Sequence, residues 1–251
     1  MAEALAAALA LAGLPWLVLA AALAGLVRGF SGFGSGLVYM PIAGAVLPPA
    51  QAVAVLVLMD LIGPLANVPG AWRTGAPVEL GWLGLGLLPG LPVGLAALFW
   101  VDPQVFRWGV SLMALVTVAA LVSGWRWRGA RGPRTAAAAG FVSGIVGGAT
   151  ALPGPPVILY YMASPLPVAQ VRANLMLFLV AVDLAMAAVL GAAGQLSLTF
   201  ALVSALLLVP FSLANAVGSA LFRPERSGSY KALSWSLIAG SALAGLPLWN
   251  G

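Results

Sequence analysis

The segment GLVRGFSGFGSGLVYMP, residues 25–41, returns in outline as GFVSGIVGGATALPGPP at residues 140–156. Gly25, Gly29, Gly32 and Pro41 reappear at identical spacing as Gly140, Gly144, Gly147 and Pro156. Each run sits inside an apolar stretch of membrane-spanning length. Glycine has no side chain to shield its backbone and proline removes a helix hydrogen bond, so each run opens the main chain within a hydrophobic segment. Lipid offers opened amides no partner; they must face protein or a polar cavity, and paired interruptions in corresponding halves point to a transporter's binding site. The pattern predicts one transmembrane transporter domain over residues 1–251, built from repeats at 12–125 and 135–249.

Composition agrees with a membrane setting. Hydrophobic residues make up 62% of the 251 and charged ones 7%, with a mean hydropathy of +1.07, too little polar surface to coat a soluble domain. The net charge of +5 comes from basic residues lying mostly between apolar stretches, which reports orientation in a bilayer and not nucleic-acid binding. The start, MAEALAAALALAGLPW, has no basic residue before Arg28 and carries Glu3; it lacks the positive flank of a cleaved signal peptide and is expected to stay in the mature protein. With no cysteine and no histidine, disulfides, haem and the usual zinc or iron ligand sets are excluded, and neither metal nor cofactor is expected.

Hydrophobic length and proline, glycine and arginine punctuation predict full spans near 50–69, 79–100, 104–125, 168–191, 198–222 and 229–249, each about 20 residues, as a hydrocarbon core of about 30 Å requires. The glycine-broken segments, near 12–47 and 135–164, are too long for one upright helix. Each holds two arms of about a dozen residues, and either crosses as a bent helix or returns as a re-entrant hairpin. Charge distinguishes the two. If both segments cross, Arg73, Arg126, Arg128, Arg131 and Arg134 face one side and Arg107, Arg172, Arg223, Arg226 and Lys231 the other, an even split. If both are hairpins, all but Arg107 gather on one side and Arg28 lies within the membrane. The positive-inside rule favours the hairpins. A hairpin plus three crossings per half inverts the second half relative to the first, so the expected fold is an all-α membrane protein of two inverted repeats, each a glycine-broken segment plus three transmembrane helices.

The repeat extends further: PPAQAVA at 48–54 is similar to LPVAQVRA at 166–173, and LLPGLPVGLAALF at 87–99 to LVPFSLANAVGSALF at 208–222, pairing Gly94 with Gly218. The paired glycine motif ending in proline, the proline-containing start of the next span and the two similar halves resemble the sulfite exporter TauE/SafE family, also called the toluene-sulfonate uptake permease family, over nearly the whole chain. The resemblance implies a multi-pass permease of the bacterial inner membrane for small sulfur-containing or other organic anions, such as sulfite, sulfonates or sulfoacetate. Ser35 interrupts the first glycine run and Ala149, Thr150 and Ala151 dilute the second, departures that bear on the substrate.

The site residues follow from charge and backbone chemistry. A helix restarted in mid-membrane offers free N–H groups and the positive end of its dipole, which suits an oxyanion; residues 32–36 and 147–151, with Gly32, Gly34, Gly147 and Gly148, are the expected places. Ser31, Ser35 and Thr150 offer hydroxyl donors, or merely satisfy nearby carbonyls. Arg28 stands before the first break, where a charge is expensive and a guanidinium fork matches sulfonate or carboxylate; its other reading is a structural pair with Asp60. Arg172, followed by Asn174, is either an inside flank or a second substrate contact. Asp60 and Asp183 fall near the middles of their spans, where a carboxylate must be protonated, paired or hydrated, so proton coupling and structural pairing both fit. Asn67, Gln170 and Asn215 line the path or bond between helices.

The string GFSG at 29–32 fits an intramembrane serine protease, but no histidine base exists and the one lysine, Lys231, is poorly placed, so no enzyme is expected. A passive anion channel and a non-transporting subunit of a membrane complex remain as alternatives. The expected function is a secondary transporter of small anions, proton-coupled, with repeats rocking against each other around a central site. Its partners are a small anionic substrate and the lipid bilayer, with a homo-oligomer as an option and no nucleic acid.

Overall fold

A computed structural model describes residues 1–124, 132–162, 166–221 and 227–248. The described residues form helices α1 (Ala2–Leu9), α2 (Leu14–Ser31), α3 (Ser35–Val46), α4 (Pro49–Ile62), α5 (Val68–Thr74), α6 (Pro77–Trp100), α7 (Pro103–Val122), α8 (Pro133–Thr150), α9 (Gly154–Met162), α10 (Val168–Ala192), α11 (Leu198–Leu221) and α12 (Ser227–Gly245). Proline opens α4, α6, α7 and α8, where its fixed φ suits the first turn and its missing N–H costs nothing. Asp102 caps α7, accepting from the amides of Gln104 at 2.8 Å and Val105 at 3.3 Å. Helices α2, α6, α7, α10 and α11 are long and apolar enough to cross a membrane, and the chain is a multi-pass membrane protein.

Both glycine-broken segments double back. Gly13, before the first turn of α2, lies against the Val46 side chain at the end of α3, so the first segment returns to the face it left. Helix α2 runs parallel to α11, with Gly25 on Phe211 and Gly29 on Asn215 to Ser219. Helix α3 runs parallel to α12, with Ser241 Oγ 3.4 Å from Leu37 O and Gly245 on Pro41. In the second segment α8 runs parallel to α6, and the returning arm α9 ends beside the start of α6, where Tyr160 and Tyr161 donate to the Glu79 carboxylate at 2.8 and 3.2 Å.

Three expectations need correction. The arms are unequal, 18 and 12 residues in the first hairpin and 18 and 9 in the second. The expected span at 50–69 breaks at Gly63–Pro64 into α4, a 3-10 turn at Leu65–Asn67 and α5, because Pro64 cannot donate to the preceding turn. The second turn also comes later than 147: Gly147 and Gly148 stay helical and α8 ends at Ala151, in the left-handed conformation at φ 56°.

The helices meet along two glycine seams. A Cβ on Gly144 would lie 2.8 Å from both Leu87 O and Leu91 N and 3.0 Å from Gly90 C. On Gly29 it would lie 2.5 Å from Asn215 O and 2.8 Å from Gly218 Cα and Ser219 N. Such main-chain approach, open only to glycine, supplies the van der Waals contact that holds helices together in lipid. The two seams share one register, in which Leu83, Leu87 and Gly90 stand to Gly140 and Gly144 as Phe211, Asn215 and Gly218 stand to Gly25 and Gly29. The partner of Gly218 is therefore Gly90, one turn before the Gly94 that the sequence suggested.

Candidate functional site

The turn of each hairpin reaches the same place. Residues Phe33–Leu37 from the first and Ala151–Pro155 from the second enclose a cavity of about 30 Å3 together with Arg28, Asp60, Ile158, Leu179 and Asp183, room for a water or two.

The first turn is shaped by Gly32 and Gly34, both left-handed at φ 79° and 89°, conformations costly for residues with a Cβ. The first main-chain bond of α3 runs from Val38 N to Gly34 O at 3.3 Å. The amides of Ser35, Gly36 and Leu37 precede it, and all three residues line the cavity; these are the groups a helix start leaves for an outside acceptor. The second turn is poorer in donors, because α9 begins Gly154–Pro155–Pro156 and proline has no N–H.

Arg28, 2% exposed, enters from the last turn of α2. Its Nη1 donates to Asp60 Oδ2 at 2.7 Å and to Ser35 Oγ at 3.0 Å, and Ser35 Oγ donates to the same carboxylate oxygen at 2.5 Å. One edge of the guanidinium is thus held between α3 and α4. Arg28 Nε and Nη2, Asp60 Oδ1 and Asp183 Oδ2 are buried without a protein partner, and their three residues all line the cavity. Buried polar atoms of this kind mark a place for a polar guest.

Of the residues singled out in the sequence, Arg28, Gly34, Ser35, Asp60 and Asp183 meet at this cavity; the others lie off its wall. Ser31 Oγ serves the main chain, with Val27 O at 2.8 Å and Phe33 O at 2.6 Å as acceptors and Phe33 N as donor at 3.3 Å. Thr150 Oγ1 donates back to Val146 O at 2.7 Å. Gly147 packs on Pro153 and Gly148 on Leu91 and Leu95 of α6. Gly32 lies under the Arg172 side chain, whose Nη2 donates to Gly29 O at 3.0 Å. Arg172 thereby caps the carbonyl end of α2 from another repeat, where a cation opposes the helix dipole. Asn215 is buried in the α2–α11 seam, and Asn67 is exposed at the end of the 3-10 turn.

Two features escaped the sequence reading. Glu79 accepts from Tyr160, Tyr161 and, at 3.5 Å, Asn174 Nδ2, while Asn174 Oδ1 accepts from Ala76 N at 2.7 Å; nothing in the spacing of these five residues joins them. Leu179 also lines the cavity. Aligning Gln51 with Gln170, as the similarity of PPAQAVA to LPVAQVRA suggests, sets Asp60 opposite Leu179 and not opposite Asp183.

No curated protein and no solved structure matches the chain. A family model does: the one described as Sulfite exporter TauE/SafE matches residues 17–245. With hairpins, seams and a buried charged cavity all inside that stretch, the chain belongs to the TauE/SafE sulfite exporter family.

Proposed function

We propose that the chain is a proton-coupled secondary transporter for small sulfur oxyanions, sulfite or a short sulfonate, which it holds between the two hairpin turns. The observation that carries this reading is Arg28: a buried guanidinium with Nε and Nη2 unpartnered, lining one cavity with the free amides at the start of α3. A fork of charged donors beside backbone N–H groups fits a compact oxyanion. The small cavity favours such a guest over a bulky aromatic sulfonate.

Charge supports the coupling. Arg28 faces two carboxylates, Asp60 and Asp183, so with both ionised the site is already negative and an entering anion adds to a like charge in a low-dielectric setting. A proton on one carboxylate removes that conflict. Asp183 is the better carrier, because Asp60 is held by Arg28 and Ser35. The opposed directions of equivalent hairpins fit two inverted repeats, and the positive-inside rule puts Arg73, Arg134 and Arg172 on the cytoplasmic side of a bacterial inner membrane.

Calorimetric titration of the purified protein with sodium sulfite, thiosulfate, taurine and sodium acetate tests the reading. The expected result is binding of a sulfur oxyanion with proton uptake, weakened at least tenfold in Arg28→Lys, which keeps the charge and loses the fork. Unchanged affinity in Arg28→Lys and Gly34→Leu together moves the site elsewhere.

A further inference from the structure

The glycine seams decide which pieces of the chain travel together. At α6–α8 a Cβ on Gly148 would lie 2.6 Å from Leu91 O and 2.7 Å from Leu95 N, and Gly86, Gly90, Gly94, Gly140 and Gly144 approach the opposing main chain comparably. Sliding either helix would drive its bulky neighbours into the other backbone, and close-packed interfaces resist such strain. The α2–α11 seam is of the same kind. Both seams join helices from different repeats, so repeats moving as intact units would tear both.

The hairpin turns also differ in their anchorage. The first is pinned by charge: Arg28 and Ser35 bond Asp60 on α4, and Gly29 O receives Arg172 from α10. In the second, Ser143 donates to Pro153 O within the same hairpin. Among the described residues no side-chain hydrogen bond joins 151–155 to another element; the turn meets the first hairpin through Leu152 and Ala151 beside Gly36. Its returning arm is fastened to α6 through Tyr160, Tyr161 and Glu79, and to α10 through Asn174 Nδ2, which donates to Tyr161 at 3.1 Å. The cavity between the turns holds the unpartnered Arg28 and Asp183 atoms, and for an anion to reach them and leave by alternating access one wall must withdraw.

We propose that the second hairpin moves as one body with α6, a helix of the other repeat, and is the moving wall of the cavity, while the first hairpin with α4 and α11 is the fixed wall. This rests on the cavity being the transport site. At the turns the motion is apolar surface parting from apolar surface, the Asn174 contacts of α10 with Tyr161 and Ala76 act as its pivot, and the buried Arg28–Asp60 pair stays intact throughout.

Cysteine-free protein suits spin labelling at lipid-facing positions, with Leu88→Cys on α6, Val142→Cys on α8, Leu19→Cys on α2 and Leu213→Cys on α11, all exposed. Pulsed electron resonance in nanodiscs, at pH 5.5 and 8 with and without sodium sulfite, reads three distances. The expected result is that Val142–Leu213, within one repeat, shifts by several ångströms while Leu88–Val142 and Leu19–Leu213, across repeats, hold. A shift of Leu88–Val142 with Val142–Leu213 constant overturns the proposal, as does constancy of all three. Sulfite binding is measured on the same samples; its absence with the pH-driven Val142–Leu213 shift retained refutes the substrate and leaves the moving wall standing. A thiol cross-link between Leu56→Cys and Leu152→Cys, which flank Gly36 from the two walls, should stop anion flux in proteoliposomes reversibly, and undiminished flux in the linked protein also overturns the proposal.

Discussion

Gly29 lies against Gly218 with no side chain between them: a Cβ on Gly218 would stand 3.1 Å from the Cα of Gly29. Gly144 meets Gly90 in the same way across the other seam. Four glycines far apart in sequence thus make two matching joints, and their replacement is the most direct check on the packing.

Gly90→Ala and Gly144→Ala each set a methyl group against opposing backbone, and overpacking of this kind costs about 1–3 kcal/mol. Gly84, on the same helix as Gly90, has nothing within 4 Å of its would-be Cβ. Gly84→Ala is expected to stabilise by roughly 0.5–1 kcal/mol through helix propensity. Thermal unfolding in one detergent ranks the three: the first two melt below the parent and Gly84→Ala at or above it.

Arg28→Ala leaves the Asp60 carboxylate buried without its cation, and breaking such a pair costs about 3–5 kcal/mol. Arg28→Ala/Asp60→Ala removes both charges and should recover most of the lost thermal stability. Neither variant should bind sulfite. A double variant as unstable as the single one would show that the charge pair is not what holds α2 to α4.

Asp183→Asn keeps the size and polarity of the side chain but cannot exchange a proton. The expected outcome is retained counterflow exchange in proteoliposomes with loss of accumulation driven by a pH gradient. Accumulation at the parent level would exclude Asp183 as the coupling group and make sodium the next gradient to apply.

The hairpins set the sidedness of every later connection. In intact cells Ser197→Cys should react with a membrane-impermeant maleimide added outside, while Ser123→Cys stays shielded until the membrane is opened. Shielding of both would restore two crossing segments and an even split of the basic residues.

The hairpins, and the meeting of Arg28, Gly34 and Ser35 at one cavity, were legible in the sequence because their causes are local. Glycine and proline open a backbone wherever they stand, and the surplus of arginine on one side discriminates between topologies. The exact turn of the second hairpin was not legible, because glycine serves both to break a helix and to let two helices touch. Gly147 and Gly148 were read as a break, and they sit inside α8, Gly148 against α6. The interruption of α4 was visible as Gly63–Pro64, a turn signal outweighed by hydropathic length. Arg172 and Glu79 could not be placed, since their partners, Gly29 and the Tyr160–Tyr161 pair, come from distant parts of the chain.

If Arg28 receives the anion as proposed, Asp60 is a resident rival for that cargo. An anion arriving at Arg28 meets a guanidinium already half neutralised by a tethered carboxylate, whose effective concentration exceeds that of any solute. On that reading affinity is capped and departure is quick, as turnover demands. With no anion bound, Asp60 covers the charge, so on that reading the unloaded site leaves no bare cation in the membrane interior while the other wall moves. The proposed cycle thus has its empty return stroke, often the slow half of transport, eased by one ion pair.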